Sequence, residues 1–170
     1  PFLPMFYRDM KRHALATQMF FLFQRINQLS AIKQPDLFGR KTIADYMLAK
    51  DRLFAKLTLD DNEFGLYSQL YNHLQPQAPI PDLVIYLQAS VDQLMERIHR
   101  RARPMERGIS EDYLMKLSES YTRHFYDYAE SPLLIVNSDR FNFADNREHL
   151  EMLLTRVESM RGMREYFNAA

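Results

Sequence analysis

Two apolar runs of strand length, Leu83-Val-Ile-Tyr-Leu-Gln88 and Leu133-Leu-Ile-Val-Asn137, constrain this chain more than any other feature. Neither run alternates between apolar and polar residues, so neither suits a half-exposed strand. Continuous apolar strands belong in a buried parallel sheet with helices on either side. Between the runs lie an arginine-rich stretch and a helix predicted from about Ser110 to Ala129, with Leu114, Leu117, Tyr121, Phe125 and Tyr128 as its core positions. The fold class that follows is α/β, with a parallel sheet flanked by helices.

The remaining segments are mostly helical. Residues 5–33 carry Leu15, Met19, Leu22, Phe23, Ile26 and Leu29 at three- and four-residue intervals, an apolar stripe on one long helix. Residues 34–40 read as a loop and 41–46 as a short strand ending in Asp45. Residues 48–57 read as a helical piece, and Asp60-Asp61 start another helix that runs to Leu74. The three prolines within 75–82 make a stiff connector, and the last helix spans about Arg147 to Met160, with a frayed or partner-bound tail beyond it. An acid at a strand end lies where α/β sheets bind ligands, which separates Asp45 from the capping acids Asp60 and Asp61.

At 170 residues the chain reads as a single domain, residues 1–170. Its 22 basic and 22 acidic residues cancel, which argues against a nucleic-acid or membrane-surface binder. The absence of cysteine excludes disulfides and thiolate-held zinc, and agrees with a reducing cytoplasm. Apolar runs such as 19–23 are too short to span a bilayer, and no signal peptide is visible.

Positive charge is instead concentrated in Arg97-Ile-His-Arg-Arg-Ala-Arg-Pro-Met-Glu-Arg-Gly108. Ser90-x-x-Gln93 upstream reads as a capping box that starts a helix. Arg97 and Arg101 share a face of that helix, and Arg103 lies just past its end beside Pro104. Guanidinium forks converging from a helix end and a loop suit a polyanion such as a triphosphate; the plain alternative is a solvated basic face. Gln18 and Arg25, seven residues apart, lie within about 20° of each other around a helix. Beside a bulky apolar face they could hydrogen-bond a planar heterocycle, although on spacing alone they read as ordinary surface residues.

Together these pieces resemble the deoxyribonucleoside kinases, P-loop enzymes that transfer the γ-phosphoryl of ATP to a nucleoside 5′-hydroxyl. The resemblance covers nearly the whole chain. It is strongest in Tyr86-Leu-Gln-Ala-Ser90 followed by Arg97-x-x-x-Arg101-x-Arg103-x-x-Glu106-x-Gly108-Ile109, like the family's strand, helix and arginine lid, here about 97–109. Gln18 with Arg25 is similar to the base-reading pair, and Asp45 with Asp51-Arg52 to the strand-end acid and the aspartate that holds the base-reading arginine. The resemblance implies that Gln18, Arg25 and Asp51 bind the base, and that Tyr7 and Glu106 hold the 3′-hydroxyl. It also implies that Arg97, Arg101, Arg103 and Asp45 serve phosphoryl transfer from ATP with Mg²⁺. It further implies a homodimer and, less specifically, a purine deoxynucleoside. A thymidylate-kinase-like enzyme and a non-catalytic nucleoside-binding relative are the alternatives; the Tyr7, Gln18 and Glu106 pattern favours an unphosphorylated sugar.

Two positions depart from the pattern. Asp45 is followed by Tyr46 where many relatives have arginine, leaving a cationic role near the transferred phosphate empty or supplied by Lys50 or Arg52. No Gly-rich loop ending Gly-Lys-Ser/Thr occurs in the 170 residues. The expectation is therefore a P-loop-kinase-like three-layer fold missing its first strand and P-loop, some ~30–40 residues. Residues 1–170 are expected to be inert on their own.

Overall fold

The computed structural model describes residues 2–32, 41–75 and 79–168. The predicted loop at 34–40 and the middle of the proline connector, 76–78, lie outside the described residues. The chain divides into two compact units, Pro1–Pro79 with Ala102–Tyr121, and Ile80–Arg101 with Thr122–Ala170.

The first unit is helical. Helix α1 (Leu3–Arg8) stops at Asp9, whose φ of −145° and ψ of 86° leave the helical region, and α2 (Met10–Ile32) starts immediately afterwards. The single predicted helix over 5–33 is thus two helices, and Tyr7 does not share α2's axis. The buried line of α2 runs through Ala14, Gln18, Leu22 and Ile26, four apart, with Leu29 continuing it. Phe23, assigned to the apolar stripe, is exposed. Helix α3 (Leu48–Thr58) and helix α4 (Asp61–Leu74) pack against α2 through Leu48, Ala55, Tyr67 and Tyr71. The start of α4 is a full capping box: the Asp60 carboxylate accepts from the Glu63 amide at 2.9 Å while Glu63 accepts from the Asp60 amide at 3.2 Å.

Residues 41–46 form no strand. They carry no ladder hydrogen bonds, and Ile43 is 97% exposed. A strand is made by its neighbour as much as by its own residues, and none of the described residues pairs with this segment.

The second unit is built on a parallel sheet of three strands in the order β1 (Val84–Gln88), β2 (Leu133–Asn137), β3 (Arg164–Phe167). The two apolar runs pair directly, Val84 opposite Leu133 through Gln88 opposite Asn137. Every residue from Leu133 to Val136 is buried, as a central strand requires. Strand β3 replaces the predicted frayed tail; Phe167 packs on Phe141 with ring centroids 5.1 Å apart. Helices α5 (Val91–Arg101) and α7 (Arg147–Ser159) belong to this unit, with the last turns of α6 (Glu111–Asp127). Tyr86 of β1 stacks on Phe125 of α6 at 4.4 Å. Asn146 caps α7 by accepting from the amides of Glu148 and His149. At α5 only half the predicted capping box forms: the Ser90 hydroxyl accepts from the Gln93 amide, whereas the Gln93 side chain turns to Glu96 and the Ser90 amide donates to Asp139.

Candidate functional site

In the first unit, α2 and α3 run antiparallel and place two polar pairs seven residues apart on each helix. Gln18, only 6% exposed, donates from Nε2 to Thr58 Oγ1 at 3.2 Å. Arg25 pairs with Asp51, whose side chain is 1% exposed. Gln18 is therefore an interior group, not the surface residue that spacing alone indicates, and Asp51 is interior as well. A buried carboxylate is tolerated only with a charged or hydrogen-bonding partner, and the guanidinium supplies it.

Arg25 sits in a setting rich in aromatic rings. Its guanidinium carbon lies 5.4 Å from the Phe21 ring centroid. Burial lowers its pKa, opposed by the nearby phenols of Tyr121 and Tyr67, then by Asp45 and Tyr46. Asp45, although exposed, is thus close enough to act electrostatically on Arg25. The phenol of Tyr67 is buried with no hydrogen-bond partner among the described residues, and burial pushes its pKa well up, with Tyr71 next in importance.

Lys50 joins the same group. Its ammonium lies 6.0 Å from the centroid of the Tyr121 ring, and the Phe54 ring meets Tyr121 edge-on at 6.1 Å. Lys50 and Phe54 are one turn apart and share a face of α3. Arg52, the other candidate for the cationic role beside Tyr46, is exposed.

The 3₁₀ turn Pro104–Glu106 packs against α1. Its Pro104 and Met105, with Pro4, Tyr7, Arg8 and Gly108, line a cleft of about 430 Å³. Glu106 is buried, and its carboxylate is 4.0 Å from the Arg103 guanidinium. A Cβ on Gly108 would stand 3.4 Å from the Tyr7 carbonyl, so the turn approaches α1 closely. Tyr113 ties this region to the aromatic group: burial raises its pKa, with Tyr7 and Tyr121 as secondary causes. The predicted sugar-binding residues Tyr7 and Glu106 thus lie in one unit with Gln18, Arg25 and Asp51.

The arginine lid is divided. Of its three motif arginines, Arg97 and Arg101 fall in the second unit, whereas Arg103, with Glu106, falls in the first. Between them Ala102 adopts a φ of 51°, the left-handed region, where α5 ends. In the second unit Arg97 donates from Nη1 to Ser138 Oγ at 3.1 Å and from Nη2 to the Ser138 carbonyl. Ser138 in turn donates its hydroxyl to the Gln88 carbonyl at 2.9 Å. These bonds hold Arg97 at the carboxyl ends of β1 and β2, the edge where open α/β sheets bind ligands.

Sequence reasoning named Tyr7, Gln18, Arg25, Asp45, Lys50, Asp51, Glu106 and the lid arginines, but it missed Thr58, Ser138, Arg8 and the rings. Tyr113, Phe54 and Phe21 gave no signal beyond apolarity, and Tyr121 read as plain core. Among the described residues no group of three or more His, Cys, Asp or Glu is arranged to hold a metal ion. No helix among them is long and apolar enough to cross a membrane.

The family model described as Deoxynucleoside kinase matches residues 1–161. The Deoxyguanosine kinase of Bacillus subtilis (strain 168) is 32% identical over 165 residues, covering 94% of this chain and 80% of the relative. The Deoxyadenosine kinase of Lactobacillus acidophilus is 27% identical, covering 93% and 78%. Among solved structures, deoxyadenosine kinase from M. mycoides with products dCMP and a flexible dCDP bound superposes with a TM-score of 0.77 at 25% identity, covering 94% of this chain and 81% of that one.

Proposed function

The chain belongs to the deoxynucleoside kinase family, and from that premise we propose how its residues divide the work. As a deoxynucleoside kinase it is a phosphotransferase, moving the γ-phosphoryl of ATP to the 5′-hydroxyl of a deoxynucleoside. In our reading Gln18 hydrogen-bonds the base edge, and Arg25, oriented by Asp51, sits beside it. Tyr7 donates to the 3′-hydroxyl and Glu106 accepts from it. Arg97, Arg101 and Arg103 neutralise phosphoryl oxygens, and Asp45 stands at the transfer end of the site. The substrate is a purine deoxynucleoside.

The observation that carries this reading is the buried Arg25–Asp51 pair one heptad along α2 from buried Gln18. Interior polar groups disfavour folding unless paired, and here they sit among aromatic rings, the setting in which a flat base is both stacked and read. For the phosphate end the argument is charge. Phosphoryl transfer depends on positioning and on neutralising developing negative charge, and a single arginine can be worth ~10³–10⁵ in rate.

The arginines suit the triphosphate but cannot ligate a cation, and the described residues form no acidic cage. We place Mg²⁺ with the ATP phosphates, supported by one or two carboxylates at most. We also propose a homodimer, a cytoplasmic location, one functional domain over residues 1–170, and no turnover by these residues alone, since they hold no Gly-Lys-Ser/Thr phosphate loop.

A transfer assay with ATP, Mg²⁺ and the four deoxynucleosides tests this, using residues 1–170 and the longest reading frame that contains them. Transfer to a purine deoxynucleoside in the longer form alone is the expected result. Transfer by residues 1–170 themselves would remove the inertness proposal. Absence of transfer in both forms, with nucleoside binding retained, would support a binding relative instead. In an active form Arg101→Ala should cut kcat while leaving nucleoside affinity nearly unchanged.

A further inference from the structure

Thr58, the last residue of α3, meets Gln18 of α2 across the packing face of the two helices. Its hydroxyl donates to the Phe54 carbonyl one turn back, at 2.8 Å, and accepts from Gln18 Nε2 at 3.2 Å. A hydroxyl carries one hydrogen. Once that hydrogen goes to Phe54, Thr58 can only accept, so the Gln18 group facing it has to be the amide NH₂.

Reversing the Gln18 amide would set its carbonyl oxygen against the Thr58 oxygen, two acceptors with no hydrogen between them. The hydroxyl could answer only by leaving Phe54. In both cases the reversed amide is held by one hydrogen bond fewer. Gln18 is 6% exposed, so water does little to make up the loss. The bond to Thr58 is the one hydrogen bond of the Gln18 side chain among the described residues, and Oε1 is left to a ligand.

An unrestrained glutamine amide can present either its oxygen or its NH₂ to a partner. A restrained one fixes the sense of the contact, and a buried acceptor left unmatched is costly. We propose that Thr58 is a positioning residue: by accepting from Nε2 it locks the Gln18 amide so that Oε1 receives an N–H donor of the base. The proposal rests on the base-reading role given above to Gln18. It concerns the sense of the contact rather than the choice among natural bases. Amino and ring N–H groups both meet the requirement; a purine ring bearing acceptors alone does not.

Equilibrium dialysis with deoxyadenosine and purine 2′-deoxyriboside isolates that donor, because the two nucleosides differ only by the 6-amino group. The parent chain should bind deoxyadenosine at least about tenfold more tightly. Thr58→Val keeps the branched shape and removes the hydroxyl, which frees the amide to turn its NH₂ towards the ring nitrogens. It should bring the two affinities within about threefold of each other. Thr58→Ser retains the acceptor and should retain the preference, a rescue that a packing role alone would not give. A parent that binds both nucleosides equally well overturns the proposal even if Thr58→Val does not fold. So does a folded Thr58→Val that keeps the full preference. Gln18→Ala separates the two levels of the reading. If it levels the pair while Thr58→Val does not, Gln18 still reads the base and the Thr58 role alone falls. If Gln18→Ala keeps the preference, or the parent binds neither nucleoside, the base-reading role of Gln18 falls first and this inference with it.

Discussion

The two units bury different things. Among the described residues the helical unit buries the polar Thr17, Gln18, Asp51 and Glu106, two of them carboxylates, whereas the sheet unit encloses the apolar strand β2 and, as buried polar residues, Ser131 and Ser138. In the sheet unit the polar business is at the strand ends, where Ser138 connects Arg97 to the Gln88 carbonyl. In the helical unit it is inside, between α2 and α3. A sheet can offer a ligand-binding edge without disturbing its core, because side chains at strand termini are already near solvent. Helices that read a flat base from the side must carry polar groups on their packing faces, at a cost to stability. The residues proposed for base reading and for transfer thus lie in different physical settings.

Substitutions can break or sharpen that contrast. The largest effect should come from Asp51→Ala, which leaves Arg25 partly buried without its counter-charge and should cost about 3–5 kcal/mol in urea unfolding. Replacing both partners, Arg25→Met with Asp51→Leu, should recover most of that stability while abolishing nucleoside binding. If the double variant is as unstable as the single one, the pair is not kept for function. In the sheet unit Leu134→Ala should cost about 2–5 kcal/mol by leaving a cavity in the central strand, with base preference unchanged. A changed preference would contradict the separation of roles.

A smaller effect is pH-dependent. The folded-state pKa of Tyr67 lies above that of an exposed phenol, so folding favours the neutral ring. Its contribution is complete below the unfolded value of about 10 and is lost as pH rises from there towards the folded value. Tyr67→Phe should therefore flatten the alkaline loss of stability in melts between about pH 9 and 11. An unchanged alkaline slope would show that the phenol is not the group responsible. The smallest effect concerns the chain between the units. Ala102 holds a φ of 51°, so Ala102→Gly should gain roughly 0.5–1 kcal/mol by removing the Cβ clash, measurable by chemical unfolding.

Much of the sheet was legible because β1 and β2 are apolar along their whole length, a pattern with few other uses. The α4 start was legible too, since Asp60 and Asp61 are helix-starting acids. Strand β3 was not: Arg164-Glu-Tyr-Phe167 is short and half charged, and it is a strand because β2 offers it a ladder. The error at 41–46 is the converse, a strand-like segment without a ladder. Within the site, the arginines stood out as a cluster that follows a strand and a helix, whereas Asp51 was legible only through the family resemblance. Gln18 looked like a surface residue because polarity normally means exposure, although its four-residue register with Leu22 and Ile26 placed it on the buried line. The inward turn of Lys50 depended on α3's rotation against Tyr121, which no local pattern reveals.

The most direct test of the account is calorimetric binding of the four deoxynucleosides to the parent chain and to Gln18→Ala. The order of affinities among the bases should change, as follows from the proposed contact of the buried amide with the base edge. A uniform weakening of all four, or no change in their order, would contradict it and would reduce Gln18 to a packing residue bonded to Thr58.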